Sequence, residues 1–175
     1  MQNYLVVSAL VENSSKIIRQ FSKISKTTGC NVTESRFRVI GQELSLLLFL
    51  TGSWDVIAKA EGMFKGLEQE HQINILTQRT TVDTLKGNTM SYAVDIVGLD
   101  RSGLIFDITD FMLKSELLIH EVSSNTYQAS LTGANMFSLN MIVHISTDLS
   151  IATIRADFME FCDDLNLDAI MEPVK

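Results

Sequence analysis

The chain has 175 residues, 46% of them apolar and 20% charged, with a formal net charge of −7. That balance excludes a disordered chain and suits one or two compact domains. No apolar run approaches the roughly 20 residues that span a bilayer, so no membrane partner is expected. The longest run, Leu44 to Leu50, is strand-sized. No basic stretch followed by an apolar core opens the chain, so no secretory leader is expected. Two cysteines, Cys30 and Cys162, lie far apart and form neither a disulfide framework nor a zinc pattern. A reducing cytoplasm is the expected compartment. The charge is uneven: residues 1–84 carry a net +1 and residues 85–175 a net −8. Without a clustered basic stripe, direct nucleic-acid binding is not expected. The acidic half either faces a basic protein partner or is simply solvated.

Asn3 to Leu10 reads as a buried strand, short and rich in β-branched and aromatic residues. Val11 to Ser15 is a loop whose Asn and Ser can cap a helix. Ile17, Ile18, Phe21 and Ile24 then recur at helical spacing, with Lys16, Arg19, Lys23 and Lys26 outward. Gly29 ends that helix as a C-terminal cap. Cys30 to Ile40 alternates, with Val32, Ser35, Phe37 and Val39 on one side. Gly41-Gln42 turns the chain into a near-continuous apolar strand, Leu44 to Thr51. Gly52-Ser53 opens a second helix bearing Trp54, Ile57, Ala58, Met63, Phe64 and Leu67. Gln72 to Thr80 is a fourth strand, and the polar Val82 to Asn88 is a linker.

The same order then begins again. A strand over Thr89–Val97 is followed by a tight loop and a helix over Ser102–Ser115. A strand over Leu117–Tyr127, a hairpin around Thr132-Gly133 and a strand over Asn135–Ile145 come next. A helix over Asp148–Asn166 and a short strand over Leu167–Met171 close the repeat. An offset of 87 places Leu104 on Ile17, Ile105 on Ile18, Ile108 on Phe21 and Ile119 on Val32. Units of roughly 80 residues exceed solenoid repeats and indicate two similar domains. The fold class is α+β: two ferredoxin-like βαββαβ domains, 1–81 and 89–175, joined by the linker 82–88. Each has an antiparallel sheet with two helices on one face. The strands 44–51 and 135–145 are apolar at successive positions, so both their faces read as buried. The domains are therefore expected to dock side by side or to pack their sheets, with further dimerisation as a homodimer open to them.

The stretch Gly98-Leu99-Asp100-Arg101-Ser102-Gly103 concentrates the polar chemistry. An apolar strand stops at Gly98, and a helix begins almost at once. Glycines at both ends permit positive φ or close backbone approach. The first N–H groups of the helix, with its positive dipole end, favour an anion such as a carboxylate. Asp100 can take an ammonium group, which together makes an amino-acid site. In the plainer alternative Asp100 caps the helix and Arg101 is solvated.

At this point the pattern resembles a known family. Two βαββαβ units of this size, with Gly98, Asp100, Arg101 and Gly103 forming G-x-D-R-x-G between first strand and helix, look like ACT domains. These are regulatory modules that typically bind amino acids. The first copy matches a later element of the pattern, Gly29-Cys30-Asn31-Val32, where glycine, asparagine and an aliphatic residue enter the second strand. The whole chain, with SRFRVIGQELSLLLFLTGSWDVIAKAEG and TQRT, resembles the glycine cleavage system transcriptional repressor family. The resemblance implies a non-enzymatic regulator of transcription without a DNA-binding domain. It implies action by contact with a LysR-type activator, sensing an amino acid, with glycine as the proposed signal. It also implies ligand-binding roles for Gly98 to Gly103, for Asn13 and Ser14 in the first loop, and for Asn31. The first copy departs from the pattern: Asn13, Ser14 and Lys16 stand where Asp, Arg and Gly would, and Leu118 replaces asparagine in the second. One composite site across an interface is an alternative. An allosteric regulatory subunit of a metabolic enzyme and a scaffold binding no small molecule are the rival functions.

No cofactor, metal or catalytic residue is expected. His71, His120 and His144 share no ligand spacing, although His120 and His144 fall on adjacent strands. Cys162 lies beside Asp163 and Asp164, whose charge opposes a thiolate. No Gly-x-Ser-x-Gly elbow occurs, and the Gly98–Gly103 spacing is not a dinucleotide fingerprint.

Overall fold

A computed structural model describes residues 2–81 and 88–174. The chain divides into two compact units, residues 1–84 and 85–175. The linker expected at 82–88 lies, but for its last residue, outside the described residues.

The first unit runs β1 (Asn3–Glu12), α1 (Ser15–Thr28), β2 (Asn31–Ile40), β3 (Glu43–Gly52), α2 (Trp54–His71) and β4 (Ile75–Thr80). Its four strands form an antiparallel sheet in the order β2-β3-β1-β4. The core lies between that sheet and the helices. Leu5, Val7, Leu46, Leu48 and Leu50 meet Ile17, Phe21, Ile57 and Phe64, with the Phe21 and Phe64 rings 5.4 Å apart. β1 continues two residues past its expected end, because Val11 pairs with Leu44 and is buried. α1 starts at the Ser14 cap, whose hydroxyl accepts the Lys16 N–H, and ends at Gly29 with φ of 78°. The alternation of β2 is interrupted: the register shifts between Val32 and Glu34, so Thr33 is the extra residue of a bulge. β2 is an edge strand, exposed along its whole length.

The second unit repeats the order as β5 (Thr89–Leu99), α3 (Leu104–Lys114), β6 (Leu118–Gln128), β7 (Asn135–Ser146), α4 (Ile151–Asp164) and β8 (Leu167–Pro173). Its sheet order is β6-β7-β5-β8, and it is again antiparallel. The two βαββαβ units are thus α+β sandwiches as the periodicity indicates. The bulge recurs as well, with the shift between Ile119 and Glu121 leaving His120 in the place of Thr33.

One expectation about burial does not hold. β3 buries Leu44, Leu46, Leu48 and Leu50 on one face only; on the other, Leu47 is 38% exposed and Phe49 is half-buried, stacked on Tyr4. The second face takes apolar residues without being a core, because the helices cover one side of the sheet. Trp54 is 64% exposed, since α2 turns Ile57, Ala60, Phe64 and Leu67 to the sheet. The Arg79 guanidinium covers the Trp54 ring at 5.5 Å. Among the described residues no helix is long and apolar enough to cross a membrane.

Candidate functional site

The loop from β5 to α3 begins later than the sequence indicates. Gly98 and Leu99 belong to β5, and Gly98 is paired with Phe137 on one side and Leu167 on the other. Gly98 is therefore a packing glycine and not a loop glycine. A Cβ there would run into the Leu167 side chain and lie 3.3 Å from the Asn166 carbonyl oxygen. The loop proper is Asp100-Arg101-Ser102-Gly103, all exposed. Its entry is fixed by the Asp100 N–H donating to the Asn135 carbonyl at 2.9 Å, at the base of the β6–β7 hairpin.

Gly103 occupies the N-cap position of α3 with φ of 91°, and no side chain caps the helix there. Asp100 is thus not the cap. The first N–H groups of α3 have no intrahelical partner by geometry, so they face the loop with the positive dipole end behind them. Arg101 is not simply solvated: its Nη2 donates to Asp107 Oδ2 at 3.2 Å, tying the loop to the first turn. The loop thus offers an exposed carboxylate at Asp100 and backbone donors nearby, the complement of an α-amino acid.

The first unit uses its equivalent loop differently. The Asn13 N–H donates to the Gln42 carbonyl at 3.2 Å, and the Ser14 hydroxyl is taken up by the Lys16 N–H at 3.3 Å. Ser14 nevertheless borders a concavity of about 270 Å3, with Val11, Glu12, Lys16, Gln20, His71 and Ile73. His71 Nε2 and Gln20 Nε2 are 2.7 Å apart at its edge. Lys16 stands at the motif's second glycine position; Glu12 and His71 did not figure in the motif. Glu12 and Lys16 are visible as charges flanking Asn13-Ser14, but His71 arrives only through the end of α2. Asn31 does not join this group. It pairs with Thr51, whereas Glu12 pairs with Glu43. The span of β3 from Glu43 to Thr51 is roughly 26 Å at strand rise, so Asn31 stands at the opposite end of its own sheet from Asn13 and Ser14.

The adjacent-strand histidines do meet. The His120 and His144 rings are 4.8 Å apart. His144 is buried, its Nδ1 is 3.0 Å from Ser91 Oγ, and its Nε2 has no hydrogen-bond partner among the described residues. No group of three or more His, Cys, Asp or Glu side chains among the described residues is placed to hold a metal. Burial, with the Asp163 charge adding to it, pushes the Cys162 thiol up to about 12.

The ACT domain model matches residues 3–78. The glycine cleavage system transcriptional repressors of Escherichia coli (strain K12) and Shigella flexneri are each 27% identical over 165 residues, 94% of this chain and 87% of theirs. The crystal structure of an unknown protein from Galdieria sulphuraria superposes with a TM-score of 0.78 at 20% identity, covering all of both chains. A crystal structure assigned as a glycine cleavage system transcriptional repressor gives 0.71 at 19% identity, over 100% of this chain and 99% of that one. The first unit thus matches the ACT domain, the second repeats its topology, and the chain is similar over 94% of its length to glycine cleavage system transcriptional repressors.

Proposed function

We propose that this chain is a non-enzymatic, cytoplasmic regulator of glycine-cleavage transcription that senses an amino acid and acts by contacting a LysR-type activator. Its domains are residues 1–81 and 89–175, joined by a linker at 82–88. The ligand loop is Gly98 to Gly103: Asp100 takes the ammonium group, and the N–H groups that open α3 take the carboxylate. Gly98 and Leu99 set the strand end from which the loop leaves. One observation carries the reading: a glycine-started helix with no side-chain cap, beside an exposed carboxylate, on a chain similar over 94% of its length to repressors of this system. Glycine is the first ligand to test, since a ligand without a side chain needs only these two contacts. The mechanism is linkage: a ligand that favours the partner-binding form tightens the partner, and the partner tightens the ligand equally.

The concavity at Glu12, Ser14 and Lys16 favours a second reading, an amino acid held in the first unit through opposite charges on Glu12 and Lys16. Asn13 and Asn31 support that unit's backbone and strand end. A thermal-shift and calorimetry screen of the twenty amino acids tests both. A ligand at 100 times its Kd stabilises by about 2.7 kcal/mol. Loss of the shift in Asp100→Asn or Arg101→Ala assigns the second unit, and loss in Lys16→Ala assigns the first. No shift from any amino acid at millimolar concentration ends the sensing reading.

A further inference from the structure

The two units repeat one pattern, yet their first helices differ on the outward side. At the 87-residue offset, Ile105, Phe106, Thr109 and Leu113 of α3 correspond to Ile18, Arg19, Ser22 and Lys26 of α1. The inward stripes agree, with Leu104 and Ile108 buried like Ile17 and Phe21. The outward side of α1 carries Lys16, Arg19, Lys23 and Lys26, as a solvated helix should. On α3, Phe106 is 70% exposed, Leu113 67% and Ile105 48%. Thr109 joins them, because its hydroxyl donates back to the Ile105 and Phe106 carbonyls at 2.8 and 3.1 Å. The spacing places all four on one stripe two turns long. The fold of the second unit makes no use of it.

The surroundings of the stripe are acidic. Asp107 and Asp110 lie along one edge of it and are each paired with a cation, Arg101 and Lys114, at 3.2 and 2.7 Å, so the acidic excess comes from α4. α4 is joined to α3 by Phe111 stacking on Phe161 and tilting on Phe158. Its exposed side bears Asp157, Glu160, Asp163 and Asp164 against Arg155 alone. A second copy of this chain does not complement such a face. Its α3 brings the same charge, and its basic α1 sets Arg19, Ser22 and Lys26 where the stripe needs apolar groups.

Resting on the reading that this protein acts by protein contact, we infer that the outward stripe of α3 docks a basic amphipathic helix of the partner. That helix sets apolar side chains on Phe106 and Leu113 and Lys or Arg toward the acidic rim, the helix-in-groove mode with electrostatic steering.

The test measures binding of the full chain, by fluorescence anisotropy, to two probes. One is the purified LysR-type activator of the same organism's glycine cleavage genes; the other is a synthetic Leu/Lys amphipathic helix. The variants are Phe106→Gln/Leu113→Gln and, as control, Arg19→Gln/Lys26→Gln. All four positions are exposed, so circular dichroism and Tm are expected to match wild type. Both probes are expected to bind wild type and the control alike, at least about tenfold more weakly to the stripe variant, and more weakly as salt rises. Activator binding unchanged in the stripe variant overturns this inference and leaves the regulator reading standing. Stripe-dependent binding of the model helix without activator binding supports the docking surface and overturns the activator as partner. Binding of neither probe overturns both. A dimer in sedimentation that the stripe variant dissociates overturns it in favour of a second copy.

Discussion

Gly98 and Leu167 approach so closely that a methyl group on Gly98 would take the space of the Leu167 side chain. The first strand and last strand of the second unit thus meet through a missing side chain. Gly98→Ala is expected to push β8 away and destabilise the unit by about 1–3 kcal/mol, as overpacking does. Gly103→Ala meets no neighbour within 4 Å but must hold φ of 91°, which costs roughly 1 kcal/mol. Urea denaturation of both variants checks the ranking; a Gly98→Ala protein as stable as wild type would refute the packing role.

Ser14 caps α1 through its hydroxyl. Ser14→Ala is expected to lower the stability of the first unit by about 1 kcal/mol, and Ser14→Gly by only a few tenths. The two variants, compared by thermal unfolding, separate the lost hydrogen bond from backbone preference.

Cys162 is fully buried, and its thiol is pushed up to about 12, chiefly by burial and then by Asp163. Iodoacetamide at pH 8 is expected to leave it unmodified in the native protein and to alkylate it after unfolding, read by mass spectrometry. An unfolded cysteine ionises near pH 8.5. The neutral thiol therefore favours the folded state fully below that value, and the advantage is lost as pH rises from there toward about 12. At about pH 10 the wild type is expected to have lost roughly 1–2 kcal/mol more than Cys162→Ala, relative to each at pH 7.

Arg79 grips Glu61 with two hydrogen bonds, 2.9 Å from Nε and 2.7 Å from Nη2, joining β4 to α2. The hydrogen bonds and charge of Arg79 hold the Glu61 carboxyl below its usual range, against a smaller opposing effect of burial. The gain is present above the unfolded value near 4.3 and disappears as pH falls through the lowered folded value. Both side chains are about a third exposed, so Glu61→Gln is expected to lose less than about 1 kcal/mol at pH 7. Urea midpoints of variant and wild type should converge as the pH falls through the lowered Glu61 range.

The repeat was legible because buried stripes at helical and strand spacing survive in both copies, Ile17 and Phe21 matching Leu104 and Ile108. The bulge at Thr33 was not legible: Cys30 to Ile40 reads as plain alternation, and only the pairing with β3 shows the extra residue. What failed was burial on second faces. Leu47 is apolar by composition but lies on the sheet face away from the helices, and periodicity does not report which face the helices take. Gly98 looked like a turn because its role depends on Leu167, far along the chain. The Asp100–Gly103 loop is contiguous and therefore readable. The concavity at Ser14 needed His71, which folding alone brings there. Asn31 could not be placed beside Asn13 without knowing that an antiparallel neighbour carries the chain to the far end of the sheet.

The bulge at Thr33 has a consequence for the protein in concentrated solution. An outermost strand of ten residues is a template on which further chains can add, and added chains expose the next template. The misfit at Thr33 bends that border away from a straight partner, and a newcomer would strip water from Glu34, Arg36 and Arg38. Addition of a further strand is thus disfavoured at this border, and the sheet ends at β2.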